Sequence, residues 1–175
     1  MSFHWLLIRK PIELCLGALC FLTGCKDNQS KTIWDPDKLI ILDAEELAEL
    51  GMASAYHKIK SRLRSLGIEP LEISEEIDPD KPSYAIQIAG ERHVISDETT
   101  GSEESWANAT VIFFSMINEQ LADSPYKFYA IEGGHDLHGI FLTEEESIAF
   151  RAESSRKQDW PYFPVLDPPW YGQHH

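Results

Sequence analysis

Over residues 103–121 the apolar side chains Trp106, Ala109, Val111, Ile112, Phe113, Phe114, Met116, Ile117 and Leu121 recur at helical spacing and cover more than one stripe. A helix that is apolar over so much of its circumference has to be buried against more than one partner. It is therefore expected at the centre of the fold, with the other elements layered around it. Thr100 and Glu103 have the spacing of a capping box at its start.

The flanking segments supply those layers. From Asp43, a good N-cap residue, Leu47, Leu50, Ala53, Tyr56, Ile59, Leu63 and Leu66 recur every three or four residues, and Gly67 follows where a left-handed C-terminal residue is wanted. The spacing predicts one amphipathic helix over 43–66. Its polar positions Lys58, Lys60, Arg62 and Arg64 read as a solvated face, favoured near a helix C-terminus by the macrodipole. Residues 68–73 alternate as a strand, 78–82 make a turn, and 84–89 with 92–96 form a hairpin around Gly90 and Glu91. Residues 127–131 and 139–143 read as further strands joined by a connection over 132–138, and 144–153 as a third helix capped by Thr143. This order belongs to a single small α+β domain, an antiparallel sheet packed on the central helix, and lacks the strict alternation of a dinucleotide fold.

All three cysteines, Cys15, Cys20 and Cys25, lie in the first 25 residues. The domain must then be held together by its core and not by disulfides. Residues 14–22 (LCLGALCFL) are a nine-residue apolar block with Arg9 and Lys10 before it and Thr23 and Gly24 after it. The order basic, apolar, small is that of a secretory leader, and nine residues are too few for a bilayer core that needs about 20 in a helix. From Lys26 the chain turns wholly polar through Thr32, as a tether would.

Leu22-Thr23-Gly24-Cys25 resembles the lipobox of bacterial lipoproteins. The resemblance implies that the chain is cut before Cys25, that a diacylglyceryl group joins the cysteine sulfur, and that the new amino end is acylated, with palmitate as a typical chain. More than one acyl chain makes such an anchor stable. The expected organisation is a signal peptide over 1–24, a lipidated tether over 25–38, and an α+β domain over 39–175 with an aromatic, proline-rich tail. Lys26, not aspartate, follows the cysteine, which the sorting rule of enteric lipoproteins associates with the outer membrane. A periplasm-facing protein held to that membrane by lipid is the expectation.

Loss of the leader removes Arg9, Lys10 and Glu13, leaving 13 basic and 28 acidic residues and a formal charge of −15. Nucleic acid and anionic lipid surfaces are disfavoured partners, and a basic protein partner is favoured by long-range steering.

The densest set of chemically active residues is IEGGHDLHG, where Glu132, His135, Asp136 and His138 fall within seven residues. Imidazole and carboxylate are ligands that zinc accepts, so His135, Asp136 and His138 form a candidate metal set. A hairpin tip also uses glycine, aspartate and histidine for turn reasons alone. No HExxH pattern, GxSxG elbow or phosphate loop is present. His57 and His93 read as surface or satisfied core residues, and the sequon at Asn108 as chance on a buried helix. No cofactor is expected.

The tail places Trp160, Tyr162, Phe163, Trp170 and Tyr171 among Pro161, Pro164, Pro168 and Pro169. Proline forbids a continuing helix or a central strand, so an extended strap is expected. Such a strap either folds back over the domain's own sheet or offers a rigid aromatic surface to a partner. The stretch YAIEGGHDLHGIFLT resembles immunity-type proteins in general form, which implies a non-catalytic module that neutralises a toxic effector. The alternative is a metal-dependent envelope hydrolase built on the loop over 132–138.

Overall fold

A computed structural model describes residues 35–78 and 80–175. The leader, the lipobox with Cys25 and all but the end of the tether lie outside the described residues. The fold is α+β, with two three-stranded antiparallel sheets where the sequence suggests one.

The first sheet has the order β1-β6-β5, from β1 (Ile40–Ile41), β5 (Tyr126–Ile131) and β6 (His138–Thr143). β5 and β6 pair from Tyr126 opposite Thr143 to Ile131 opposite His138. Both faces are covered. Phe128, Ala130 and Phe141 belong to the main core, while Tyr129, Ile131, Ile140 and Leu142 pack with Phe150 of α4 (Glu144–Glu153). Two covered faces explain why these strands read as continuous apolar runs and do not alternate. Thr143 caps α4 in a reciprocal box with Glu146, as the sequence leads one to expect.

The second sheet is a meander of β2 (Ile73–Asp78), β3 (Ser83–Ile88) and β4 (Glu91–Ser96). Here the sequence expectation of a strand over 68–73 is corrected. That segment is irregular, and the strand starts where pairing to β3 begins, at Ile73 opposite Ile88. The hairpin turn uses left-handed backbone at Ala89 and Gly90, with φ of 52° and 84°.

The central helix, α3 (Ser102–Gln120), links the two sheets. Asn108 Nδ2 donates to the Ile95 carbonyl of β4 at 3.1 Å, and this polar tie accounts for the residue that looks like a glycosylation acceptor. Asn118 makes the matching tie to β5, donating to the Phe128 carbonyl and accepting from the Phe128 N–H, each at 2.8 Å. Thr100 and Glu103 do not form the expected capping box. Gly101 is the N-cap, and the Thr100 hydroxyl is taken by Asp97. Among the described residues no helix is long and apolar enough to cross a membrane.

The helix expected over 43–66 is broken. A short α1 (Ala44–Glu46), capped by the Asp43 carboxylate, is separated from α2 (Met52–Ser65) by non-helical backbone at Glu49 and by Leu50 at φ 71°. Gly51, the residue before α2, has no side chain to cap it. Glu75 of β2 does so from outside: its Oε1 accepts from the Ala53 N–H at 3.0 Å and from the Tyr84 hydroxyl at 2.7 Å. A helix-breaking turn is thus stabilised by a strand that no local pattern associates with it.

Phe128 lies at the centre of the core, stacked on Phe114 at 4.7 Å and tilted on Phe141 at 4.6 Å between ring centres. Its ring fills the space above Gly139, where an added Cβ would stand 2.1 Å from Phe128 Cζ. A glycine in a strand ordinarily gains stability on becoming alanine, because the unfolded chain loses freedom. At this position overpacking should win. Gly139→Ala is expected to destabilise the domain by on the order of 3 kcal/mol, and Phe128→Leu to cost less in that background than alone. Urea midpoints of the four chains check both signs.

Candidate functional site

Glu132, the first residue of the connection between β5 and β6, takes left-handed backbone at φ 56°, and Gly134 follows at φ 62°. The two bends turn the chain out of the sheet and through a single 3-10 turn, Gly134–Asp136. The histidines leave this loop in different directions. His135 Nδ1 pairs with Asp43 Oδ2 at 3.1 Å and stands 3.5 Å from Glu45 Oε2, at the start of α1. Its ring also meets the Trp106 ring edge-on at 5.4 Å. His138 Nδ1 meets the Asp136 carbonyl at 2.7 Å and lies 3.7 Å from Glu132 Oε2. Among the described residues the group of ligand atoms close enough to share an ion is Asp43, Glu45 and His135, not His135, Asp136 and His138. Local spacing cannot show this, because two of the three come from the start of α1, far earlier in the chain.

The tail divides at Pro164. Before it the chain is extended and joined to the domain. Tyr162 is buried, exchanges both backbone hydrogen bonds with Ala130 at 2.9 Å, and donates its hydroxyl to the Glu132 carbonyl at 2.7 Å. Burial pushes that hydroxyl's pKa up to about 12. Trp160 is half-buried and donates its indole N–H to the Ser154 carbonyl, and Phe163 stacks on Tyr129 at 4.5 Å. Arg151 holds the Pro161 carbonyl at 2.8 Å.

After Pro164 the tail is not extended. Val165 and Tyr171 close a loop through Val165 N–H to the Tyr171 carbonyl at 3.0 Å and Tyr171 N–H to the Asp167 carbonyl at 2.9 Å. Gly172, at φ 94°, passes so near the Phe163 carbonyl that a Cβ there would lie 2.4 Å from its oxygen. The loop leaves Trp170 exposed.

These two segments, well separated in sequence, line one open cleft of about 540 Å³. Glu132 and Asp136 come from the loop, Trp170 and Tyr171 from the tail, and Trp106 and Glu103 from the first turns of α3. Helical spacing puts Trp106 in the core; the structure leaves it half-buried at the cleft. Arg156 carries no signal in the sequence, yet its guanidinium lies on the same wall, 4.0 Å from Glu132 Oε1. Of the tail aromatics, Trp170 and Tyr171 face the cleft along with the buried Tyr162, whereas Phe163 lines a smaller pocket of about 290 Å³ with Phe114 and Lys127. Comparison with family models, with curated proteins and with solved structures found no match to this chain.

The His135–Asp43 pair carries a pH signature. Its hydrogen bond and charge contact with Asp43 raise His135 above its ordinary 6.5. Burial would raise Asp43, but the hydrogen bond with His135 and those from the Glu46 and Glu45 N–H groups outweigh it and lower the carboxyl below 3.8. The stability from His135 is complete below 6.5 and is lost as pH rises through its raised value. That from Asp43 is complete above 3.8 and is lost as pH falls through its lowered value. Asp43→Asn keeps a capping side chain and removes the charge. Its stability deficit should therefore be greatest between pH 3.8 and 6.5, and imidazole titration by NMR should show His135 falling back toward its ordinary value. An unmoved His135 titration in Asp43→Asn would refute the pairing.

Proposed function

We propose that the chain is a lipid-anchored periplasmic protein, held at the outer membrane through Cys25, whose domain binds a basic protein partner without catalysis. Within that class we assign it the role of an immunity protein that neutralises a toxic effector. One observation carries the reading: the acidic loop at Glu132–Asp136 and the aromatic tail line a single open cleft. Exposed aromatic side chains on a rigid support are what partners bury at interfaces, and acidic groups around them raise the encounter rate with a basic partner. The excess of acidic over basic residues extends that steering to the whole domain. The alternative hydrolase would need His135, Asp136 and His138 to converge on an ion, whereas His135 turns to Asp43 and Glu45 and His138 turns to the Asp136 backbone carbonyl.

The experiment is protection in a sensitive host. A toxin-like product encoded beside this gene is made in the periplasm with the full-length chain or its variants. Wild type should restore growth and take up radioactive palmitate, and Cys25→Ser should take up none. Trp106→Ala with Trp170→Ala should stay folded, release the toxin at least about tenfold faster, and fail to protect. Undiminished protection by that double variant would refute the cleft. Zinc-dependent cleavage of envelope material by the purified chain would support the hydrolase instead.

A further inference from the structure

We propose that the cleft takes an arginine side chain from a basic loop of the partner, with Glu132 as the carboxylate that receives it. The inference rests on the cleft being the docking face, and it names the chemistry recognised there.

The charged residues on the cleft lining are Glu103, Glu132 and Asp136 against Arg156, a net charge of −2. Trp106, Trp170 and Tyr171 supply aromatic surface beside them. A cation that satisfies both sets at once is a guanidinium. Its flat, weakly hydrated face stacks on indole or phenol, while its edge presents paired N–H donors to a carboxylate. An ammonium group offers neither the plane nor the fork, so lysine should be the poorer guest.

Glu132 is held for this role by its backbone. Left-handed conformation is costly for a residue with a Cβ and persists where the surroundings over-determine it. Here the Tyr162 hydroxyl fixes the Glu132 carbonyl from one side, and the β5 pairing fixes the residue before it. Tyr171, on the same lining, is also left-handed, at φ 49°.

The chain's own Arg156 shows the preference in weak form. Its guanidinium stands 4.0 Å from Glu132 Oε1, beyond hydrogen-bond reach, with 67% of the side chain exposed. It is 2.9 Å from Asp159 Oδ1, a charge contact whose angles fall short of a hydrogen bond. Arg156 and His138, whose Nδ1 is 3.7 Å from Glu132 Oε2, thus partly screen Glu132 without a hydrogen bond to it. A partner's arginine has to displace these loose neighbours and the His175 ring that stands on Trp170.

The probe is acetyl-Gly-Arg-Gly-amide, with lysine and citrulline versions as controls, titrated into the ¹⁵N-labelled full-length chain. Saturable shifts are expected at the indole N–H signals of Trp106 and Trp170, and none at Trp160, whose N–H is taken by Ser154. Lysine should bind about fivefold more weakly or worse, and citrulline, which keeps the shape and loses the charge, should not bind. Glu132→Gln should weaken the arginine peptide about tenfold. If that variant's spectrum shows disturbed folding, Glu103→Gln with Asp136→Asn serves in its place, with weakening again required. Arg156→Ala should tighten binding, and Arg62→Ala, which removes the same charge from exposed α2 outside the cleft, should not. Equal binding of citrulline, equal effects of the two arginine variants, or no saturable shift would each overturn the proposal. If the peptide fails while Trp106 and Trp170 remain necessary for protection, the docking face stands and its arginine chemistry falls.

Discussion

The double hydrogen bond between Tyr162 and Ala130 is the constraint on which the cleft side of the molecule depends. β5 would otherwise present an open edge beside the core, a template for unwanted pairing. The chain closes that edge with two unlike pieces. The Asn118 amide satisfies both backbone groups of Phe128, and Tyr162 satisfies both of Ala130, two residues along. Because the second closure is made by the tail, sealing the sheet also brings the tail to the loop that follows β5. The same tyrosine then ties its hydroxyl to Glu132. Edge protection, loop geometry and the position of Trp170 thus share one anchor.

A second dependence runs through α3. Its two asparagines, ten residues apart, hold β4 and β5, and its aromatic side chains fill the space between. The helix has apolar residues on more than one stripe because it serves two sheets. Its N-terminal turns give Glu103 and Trp106 to the cleft. Core and cleft therefore divide the same helix along its length: Phe113, Phe114 and Ile117 belong wholly to the interior, and Trp106 only in part.

The periodicity of α3, the span of α4 with its Thr143 cap, and the Gly90 hairpin are all legible in the sequence. They depend on contacts within a few residues, and local pattern reports such contacts faithfully. What escapes a reading of the sequence depends on distant partners. The break at Leu50 is made tolerable by Glu75, which lies in another strand. The start of β2 is set by where β3 can pair and not by the alternation over 68–73. Sequence distance groups the loop histidines together, but His135 answers to Asp43, 92 residues earlier. Cover and binding surface look like rival roles for the tail when only its composition is considered. In the fold Tyr162 takes the first role, and Trp170 remains exposed at the cleft.

The central claim is that the tail is part of the folded domain through Tyr162, while its distal loop stands exposed at the cleft. Amide hydrogen exchange of the full-length chain tests this most directly, because opening free energies range from near zero in mobile loops to the global value in core pairings. The Tyr162 and Ala130 amides should be protected to the same degree, close to that of the core strands, and exposed Leu166 in the distal loop should exchange far faster. A Tyr162 amide that exchanges as fast as Leu166 while Ala130 stays protected would contradict the account, because the tail would then lie on the domain without belonging to it.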